Sequence, residues 1–444
     1  MGVSTQTVNN SGESVVEDVK DDTLAILKAK MAKTQEKQEK DMTIQIVDKK
    51  KRSIDFGVIG SGQAGSRLAE CFAKHGYSAV AINTAQQDLE HIDLPQDSKL
   101  LLEYGLGGAA KDLSIGKEAA ETNRDAINEL VHEKLGSCQA FMFCLSLGGG
   151  SGAGSCETII DILSEFGKPI LVMTVVPMSS DDAQTKKNAL ETLAKLAKLT
   201  QTNVIHNLIV VDNAKIEAIY SDVSLLNFFD VSNNAIVSPI HSFNTLTSMG
   251  SSIKPLDPME FAKIMTDGQG LTVYGEMTVK DYEVDTAIAD AVISNLTGGL
   301  LSNGFDLKQS KYVGFIVEAN AKVYDKIPNK AVDYAMSMVG ELCSAPNGVF
   351  KGIYVTDMKE DAVKVYSIFS GLGLPDARVS QLKKEAAELE LKAKDKNVQR
   401  NLALNLDTGT EESVSLADQV RKNIAAKKSA FGSMLKASVV DRRK

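Results

Sequence analysis

The sequence predicts an α/β protein: a doubly wound, mostly parallel sheet, then a smaller α+β domain and a long C-terminal helix. Three observations carry this. Residues 140–145, 169–176 and 208–211 are almost continuously apolar, as strands buried on both faces of a sheet must be. Stretches of helical periodicity separate these runs, the alternation that parallel strands with crossover helices require. Glycine-rich loops stand between a strand and a helix at 60–65 and again at 148–154.

Residues 1 to about 52 are polar and charged and end in Lys49-Lys-Lys-Arg52. They form an extension (1–52) outside the core. The first domain, 53–221, opens with a strand at 54–59 and continues with strands at 78–82, 140–145, 169–176 and 208–211. Helices run from the first glycine loop to about His75, from about 115 to 135, and from the second glycine loop to about Phe166. A long central helix is expected over 222–250. Pro239 should kink or break it, because proline lacks an N–H and crowds the preceding turn. The second domain, 251–375, begins with a polar turn at 251–258. Its strands lie near 270–279, 311–318, 348–355 and 362–369, and its helices near 284–298 and 328–342. Residues 376–401 are rich in Lys, Glu, Ala and Leu and read as a long exposed helix. The tail, 402–444, starts polar and ends basic, with Arg421, Lys422, Lys427, Lys428, Lys436, Arg442, Arg443 and Lys444.

Hydrophobic residues make up 43% of the 444-residue chain and charged residues 24%, the balance of a soluble globular protein. A net charge of −9 excludes a sequence-wide basic field for nucleic acid and leaves only the local basic tail. The five cysteines show no C-x-x-C pairing, and several sit in apolar runs as small core residues. That fits a reducing cytoplasm. The polar N-terminus has no apolar signal region, and no apolar run is long enough to span a bilayer. A cytoplasmic protein without direct membrane contact is expected.

The chemistry sits in the loops. Gly60-Ser-Gly-Gln-Ala-Gly65 follows a strand and opens a helix. Glycines there let the backbone approach a phosphate, and the helix N-terminus supplies free N–H groups and partial positive charge. A dinucleotide-binding fold has the same pattern, but it needs an acidic residue ending the second strand. That strand ends Ala81-Ile-Asn-Thr84, with no carboxylate until Asp88, which weighs against a nicotinamide dehydrogenase. Gly148-Gly-Gly-Ser-Gly-Ala-Gly154 is more specific. A tight strand–helix turn needs one or two glycines, and five in seven positions are costly to order. No G-K-[ST] follows, so this is not a Walker A loop, and backbone N–H groups would carry the charge stabilisation. Gly105-Leu-Gly-Gly-Ala-Ala110 means little alone. With the other two it lies at the carboxyl ends of parallel strands, where such sheets form a shared crevice.

These loops resemble those of the tubulin/FtsZ superfamily of GTPases. Gly148 to Gly154 is similar to the signature loop, with Ser151 where threonine is commoner. Gly60 to Gly65 resembles the first phosphate loop, 81–84 the second and 105–110 the third. The segment Val210-Val-Asp-Asn213 resembles the loop near sugar and base. The resemblance implies a Rossmann-like GTPase domain, a long central helix, a smaller C-terminal domain, and binding of GTP or GDP with Mg²⁺, for which no protein ligand is assigned. It implies nucleotide contacts from Gly60, Ser61, Gly62, Gln63, Gly65, Asn83, Gly107, Gly108, Ala109, Gly148, Gly149, Gly150, Ser151, Gly152 and Asn213, and from Asp181 at the ribose. It also implies that Phe229, or alternatively Phe228, stacks on guanine while Asn233 reads its edge. Phe229 and Asn233 are four apart and share a helical face.

Asp257-Pro-Met-Glu-Phe261 resembles the loop that enters the neighbouring subunit's nucleotide site, which makes Asp257 and Glu260 the expected catalytic pair. By spacing alone Asp257 is a helix N-cap with Glu260 as its capping-box partner, and both roles can hold together. Val365-Tyr-Ser-Ile-Phe-Ser-Gly-Leu-Gly-Leu-Pro375 is similar to the final strand and turn of the plasmid and phage branch, the TubZ type. What the resemblance implies is a GTPase that polymerises head-to-tail into dynamic filaments and positions or segregates plasmid or phage DNA, with a DNA-bound adaptor on the basic tail. Two alternatives stay open: a nucleotide-binding scaffold with little hydrolysis, and an FtsZ-like cell-division protein.

Overall fold

The computed structural model describes residues 52–404 apart from 106, 252, 298–303, 344 and 346. The N-terminal extension and the basic tail lie outside the described residues, and with them the expected adaptor contact. In chain order, β1 (Phe56–Ser61) leads into α1 (Gly62–Lys74), β2 (Ser78–Asn83), α2 (Gln86–Glu90) and the short β3 (Lys99–Leu101). Next come α3 (Leu113–Thr122), α4 (Arg124–Leu135), β4 (Ala140–Ser146), α5 (Ser151–Ser164), β5 (Ile170–Val176), α6 (Ala183–Gln201), β6 (Asn207–Asp212) and α7 (Asn213–Ile219). The chain continues through α8 (Leu225–Leu246), α9 (Pro258–Thr266), β7 (Gly270–Val279) and α10 (Ala287–Thr297). It ends with β8 (Tyr312–Ala319), α11 (Ala321–Tyr324), α12 (Asn329–Leu342), β9 (Val349–Val355), β10 (Val363–Leu372) and α13 (Asp376–Leu404).

All ten strands form one sheet, ordered β3-β2-β1-β4-β5-β6-β7-β10-β8-β9. From β3 to β7 every neighbouring pair is parallel; β10 runs antiparallel to both β7 and β8. Every residue of β1, β5 and β6 is buried, which is why these strands read as apolar runs without alternation. The smaller α+β domain follows as expected and shares the same sheet. β7 extends the parallel sheet through Asn207↔Gly270, Leu208↔Leu271 and Ile209↔Thr272.

Several elements differ from expectation for identifiable reasons. The single helix expected over 115–135 divides at Asn123, which closes α3 and opens α4 with φ −105° and ψ 22°. Its side-chain amide donates to Ala119 O at 2.8 Å, and such local bonding competes with the helical ladder. The central helix neither ends nor restarts at Pro239, because α8 runs through it. Ile236, Val237, Ile240 and Phe243 are all buried around that position, and this packing outweighs the missing N–H. α6 was not among the expected elements. The start of α13 is not exposed: Arg378, Leu382 and Ala386 are buried at four-residue spacing.

α8 is fixed to the segment just before β1 by Asn244. Its amide oxygen accepts from Ile54 N at 2.8 Å, and its NH₂ donates to Ile54 O at 2.8 Å and Tyr77 Oη at 3.0 Å. Beside it the His241 ring lies 4.5 Å from that of His75. Burial, helped by the nearby His75 and Arg52, lowers the His241 pKa from 6.5 to about 4. Because the unfolded chain takes up this proton first, stability should fall as the pH drops from about 6.5 towards 4 and level off below that. Urea unfolding across this range should show a shallower acid slope for His241→Gln than for the wild type.

Candidate nucleotide site

Strand order reverses between β1 and β4, which pair through Ser61↔Leu145. A crevice outside the carboxyl ends of the strands forms at such a switch point. Both specific glycine loops flank it, since α1 starts directly from β1 and α5 follows β4. Neither helix has a side-chain cap or an acidic residue in its first turn. The neighbouring α3, α6 and α7 are instead capped by Asp112, Asp182 and Asp212. Two uncapped N-termini facing one crevice leave N–H donors and partial positive charge for an anion.

The glycines hold these loops close together. A Cβ on Gly152 would lie 2.6 Å from Ser61 O, and one on Gly150 would lie 2.7 Å from the Ala109 Cβ. One on Gly60 would meet Gly65 O at 2.4 Å, and one on Gly65 would meet Cys144 O at 2.2 Å. Gly148 is pressed against Thr185 and Pro177. Gly149 differs, because its Cβ would meet only the Ser146 hydroxyl at 3.2 Å. Gly107 and Gly108 have φ of 85° and 72°, and Gly108 faces open space. Packing thus accounts for most of these glycines, while Gly149 and Gly108 face unfilled space.

Side chains then tie loop to loop. Thr84 Oγ1 lies 2.5 Å from Ser151 Oγ, Ser61 Oγ lies 2.8 Å from Ser155 Oγ, and Gly108 N donates to Thr84 O at 2.7 Å. Asn83 is buried within its own turn, with Nδ2 donating to Asp88 Oδ2 at 3.0 Å and Oδ1 accepting from Ala85 N at 3.3 Å. Gln63 is exposed at the start of α1.

Three further residues complete the frame and were not among the candidates. The third loop is wound left-handed also at Ala110 and Lys111, with φ of 46° and 63°. This conformation costs a non-glycine residue about 1–2 kcal/mol. Lys111 is held there by an ion pair with Asp182 and by Asn188, whose Nδ2 donates to Lys111 O at 2.8 Å. Asn188 also donates to Gly148 O at 3.2 Å, so one buried amide joins the third loop to the signature loop. The Lys111 ammonium holds the Asp182 carboxyl down at about 2.

On the side expected to meet sugar and base, Asn213 is the first residue of α7 and half-buried. Asp181 Oδ2 accepts from Met178 N at 2.8 Å, closing the turn after β5. Near the start of α8, Phe229 is 47% exposed, whereas Phe228 packs partly into the core. The two rings meet edge to face at 5.4 Å, which leaves Phe229 as the ring with a free face. Asn233 lies one turn further on and is half-buried. A cleft of about 380 Å³ between α8 and β7, lined by Tyr220, Asn234, Pro239 and Tyr274, contains none of the expected residues.

Asp257 and Glu260 are elsewhere. Glu260 N donates to Asp257 Oδ1 at 2.8 Å and Asp257 N to Glu260 Oε2 at 3.0 Å, a complete capping box at the start of α9. The preceding Leu256 is fixed by Tyr354, whose hydroxyl accepts from Leu256 N at 3.0 Å and donates to Leu256 O at 2.9 Å. The far end of α9 meets the amino edge of the sheet, where Asn207 Nδ2 donates to Met265 O at 3.0 Å. The glycine loops occupy the opposite, carboxyl edge. The six residues of β6 separate the two edges, roughly 20 Å of strand.

With this geometry in hand, the chain can be placed among known proteins. Residues 55–221 match the Tubulin/FtsZ family GTPase domain, and residues 242–383 match the C-terminal domain of Tubulin/FtsZ-like, TubZ-like proteins. Together these matches take in well over half of the chain, which therefore belongs to the tubulin/FtsZ family and carries its GTPase domain. Residues 242–383 are of the TubZ-like type. The tubulin-like protein TubZ of Bacillus anthracis is 24% identical over 420 residues, covering 88% of this chain and 94% of that protein. A GTPγS-form protofilament of Bacillus thuringiensis serovar israelensis TubZ superposes with a TM-score of 0.71 at 22% identity, over 79% of this chain and 96% of that one. A type III plasmid segregation TubZ superposes at 0.67 with 21% identity, over 78% and 95%. At these identities the likeness establishes the fold.

Proposed function

We propose that this chain binds GTP at the carboxyl edge of its sheet and hydrolyses it when a second copy docks head-to-tail. What supports this reading is that the glycine loops lie at one edge of the sheet, whereas the helix opened by the capping box is tied to the opposite edge. The glycine loops offer N–H donors at one edge, and the paired carboxylates Asp257 and Glu260 open α9, whose far end meets the other. Glu260 is held in a rigid capping box, so its position is set before any neighbour arrives. A carboxylate in that position orients a water and accepts its proton, which is most of what phosphoryl transfer asks of protein groups.

Within one subunit, Gly60 to Gly65, Gly107 to Ala109 and Gly148 to Gly152 surround the phosphates, and the uncapped starts of α1 and α5 supply the backbone N–H groups. Phe229 stacks on the base, Asn233 reads its edge, and Asn213 and Asp181 face the ribose. Mg²⁺ would supply charge neutralisation at the phosphates and would need few protein ligands; the side-chain oxygens of Asn83, Thr84 and Ser151 would hold it. No helix among the described residues is long and apolar enough to cross a membrane, and the free, buried cysteines support a cytoplasmic setting, in a bacterium or an infected host cell. Head-to-tail contacts do not close, so repeated docking makes a filament. A TubZ-like C-terminal domain and the basic residues from Arg421 to Lys444 support a role in positioning plasmid or phage DNA through a DNA-bound adaptor.

GTP turnover and light scattering, followed together against protein concentration, test the reading. Turnover per subunit should rise above a threshold at which scattering also appears. Assembly without turnover would indicate a scaffold, and turnover independent of concentration would place the whole site in one subunit.

A further inference from the structure

The C-terminal helix is wired into the candidate site by charges that are almost completely buried. Arg378 on α13 is 5% exposed. Its Nε donates to Asp212 Oδ2 at 2.9 Å, one terminal nitrogen donates to Pro177 O at 3.1 Å, and the other lies 3.5 Å from Glu385 Oε1. Asp212 is 2% exposed, and its second oxygen caps α7 by accepting from Ala214 N at 3.1 Å. Lys186 on α6 is 1% exposed; its Nζ donates to Ser179 O at 2.7 Å and lies 3.1 Å from Glu385 Oε2.

One guanidinium therefore grips two loops, 177–181 and 212–213, which follow neighbouring parallel strands at the carboxyl edge. These loops carry Asp181 and Asn213. Only arginine presents donors in a fixed fork able to hold a carboxylate and a carbonyl at once. Buried ion pairs add little stability over apolar packing of the same volume, so anchoring α13 could be done as well by residues like its own Leu382. The charges do what leucine does not: they connect the helix to the loops.

We propose that Arg378 is a positioning residue for nucleotide binding, and that docking of α13 and occupancy of the site by guanine nucleotide support each other. This rests on the GTP reading above. Linkage makes the coupling reciprocal: whatever factor Arg378 contributes to nucleotide affinity, nucleotide returns to the docking of α13.

Binding of a fluorescent GDP analogue to the full chain tests this. Arg378→Gln should weaken binding by about 5- to 150-fold, the usual range of such couplings, and Arg378→Lys by less. The control is Glu390→Gln, which removes the partner of Lys187, a link between the same two helices whose lysine is 60% exposed; its affinity should equal that of wild type. In turnover assays Arg378→Gln should raise the GTP concentration for half-saturation while the rate at saturating GTP, above the assembly threshold, returns to wild type. Should the variant fail to fold, wild type alone decides. Bound GDP should slow amide exchange over 376–396 by more than it does over α12. Equal affinity in Arg378→Gln, a fall in the saturated rate alone, or exchange slowed no more over 376–396 than over α12 would each overturn the proposal. If wild type binds no guanine nucleotide, the GTP reading itself is wrong and this inference goes with it; if wild type binds and Arg378→Gln binds as well, only this inference is lost.

Discussion

Glu260→Gln should bind GTP and assemble as the wild type does, yet turn over about 100-fold or more slowly, the lower end of what a positioned general base contributes. The choice of glutamine matters because Glu260 caps α9 and is also the proposed base. Its Oε2 accepts from Asp257 N at 3.0 Å, and the glutamine oxygen can keep that bond. What glutamine cannot do is accept a proton from water. Glu260→Ala removes both functions and should lose about 1 kcal/mol of stability with the missing hydrogen bond, but no more activity than Glu260→Gln. Equal turnover losses with unequal stabilities would separate the capping role from the chemical one. Wild-type turnover in assembled Glu260→Gln would remove Glu260 from the mechanism.

The capping role was legible in the sequence because a capping box is local: Asp257 and Glu260 are three apart, and the spacing alone specifies both bonds. The apolar strands were legible for a similar reason, since burial on both faces leaves no polar alternation in 140–145 or 208–211. The choice between Phe228 and Phe229 was not, because adjacent positions point about 100° apart on a helix and only the packed structure shows which ring faces the core. The frame around the glycine loops was hidden too. Asn188 joins Gly148 to Lys111 across contacts dozens of residues apart in the chain, and Arg378 reaches back to Asp212 over a still longer interval. α6 was there to be found: Asp182 is a good N-cap, and Ala189, Leu193 and Leu196 recur with helical period. The join between β6 and β7 was not, because a register of three residue pairs leaves no trace in composition or periodicity.

The second large effect should come from Gly152→Ala. Position 152 lies in the first turn of α5, and by intrinsic propensity alanine is favoured over glycine in a helix by about 1 kcal/mol. Sterics oppose this, because the new Cβ would lie 2.6 Å from Ser61 O. A backbone carbonyl cannot rotate away, so the signature loop must move from the first phosphate loop. Stability should fall by about 1–3 kcal/mol, as overpacking usually costs. GTP affinity should fall about 10- to 100-fold, the equivalent of one charge-assisted hydrogen bond of about 1.5–3 kcal/mol. Gly149→Ala supplies the contrast: its Cβ would meet only a rotatable serine hydroxyl, so affinity should drop while the urea midpoint stays in place. If both variants bind GTP like wild type, the loops do not form a phosphate cradle. Mixing Gly152→Ala with Glu260→Gln then tests the arrangement of the whole site. The first retains the carboxylate but binds nucleotide poorly, and the second binds nucleotide but lacks the carboxylate. Where a Gly152→Ala subunit docks its α9 edge on a Glu260→Gln neighbour, one complete site is restored, so the mixture should turn over GTP faster than either variant alone. A site completed within one subunit would gain nothing from mixing.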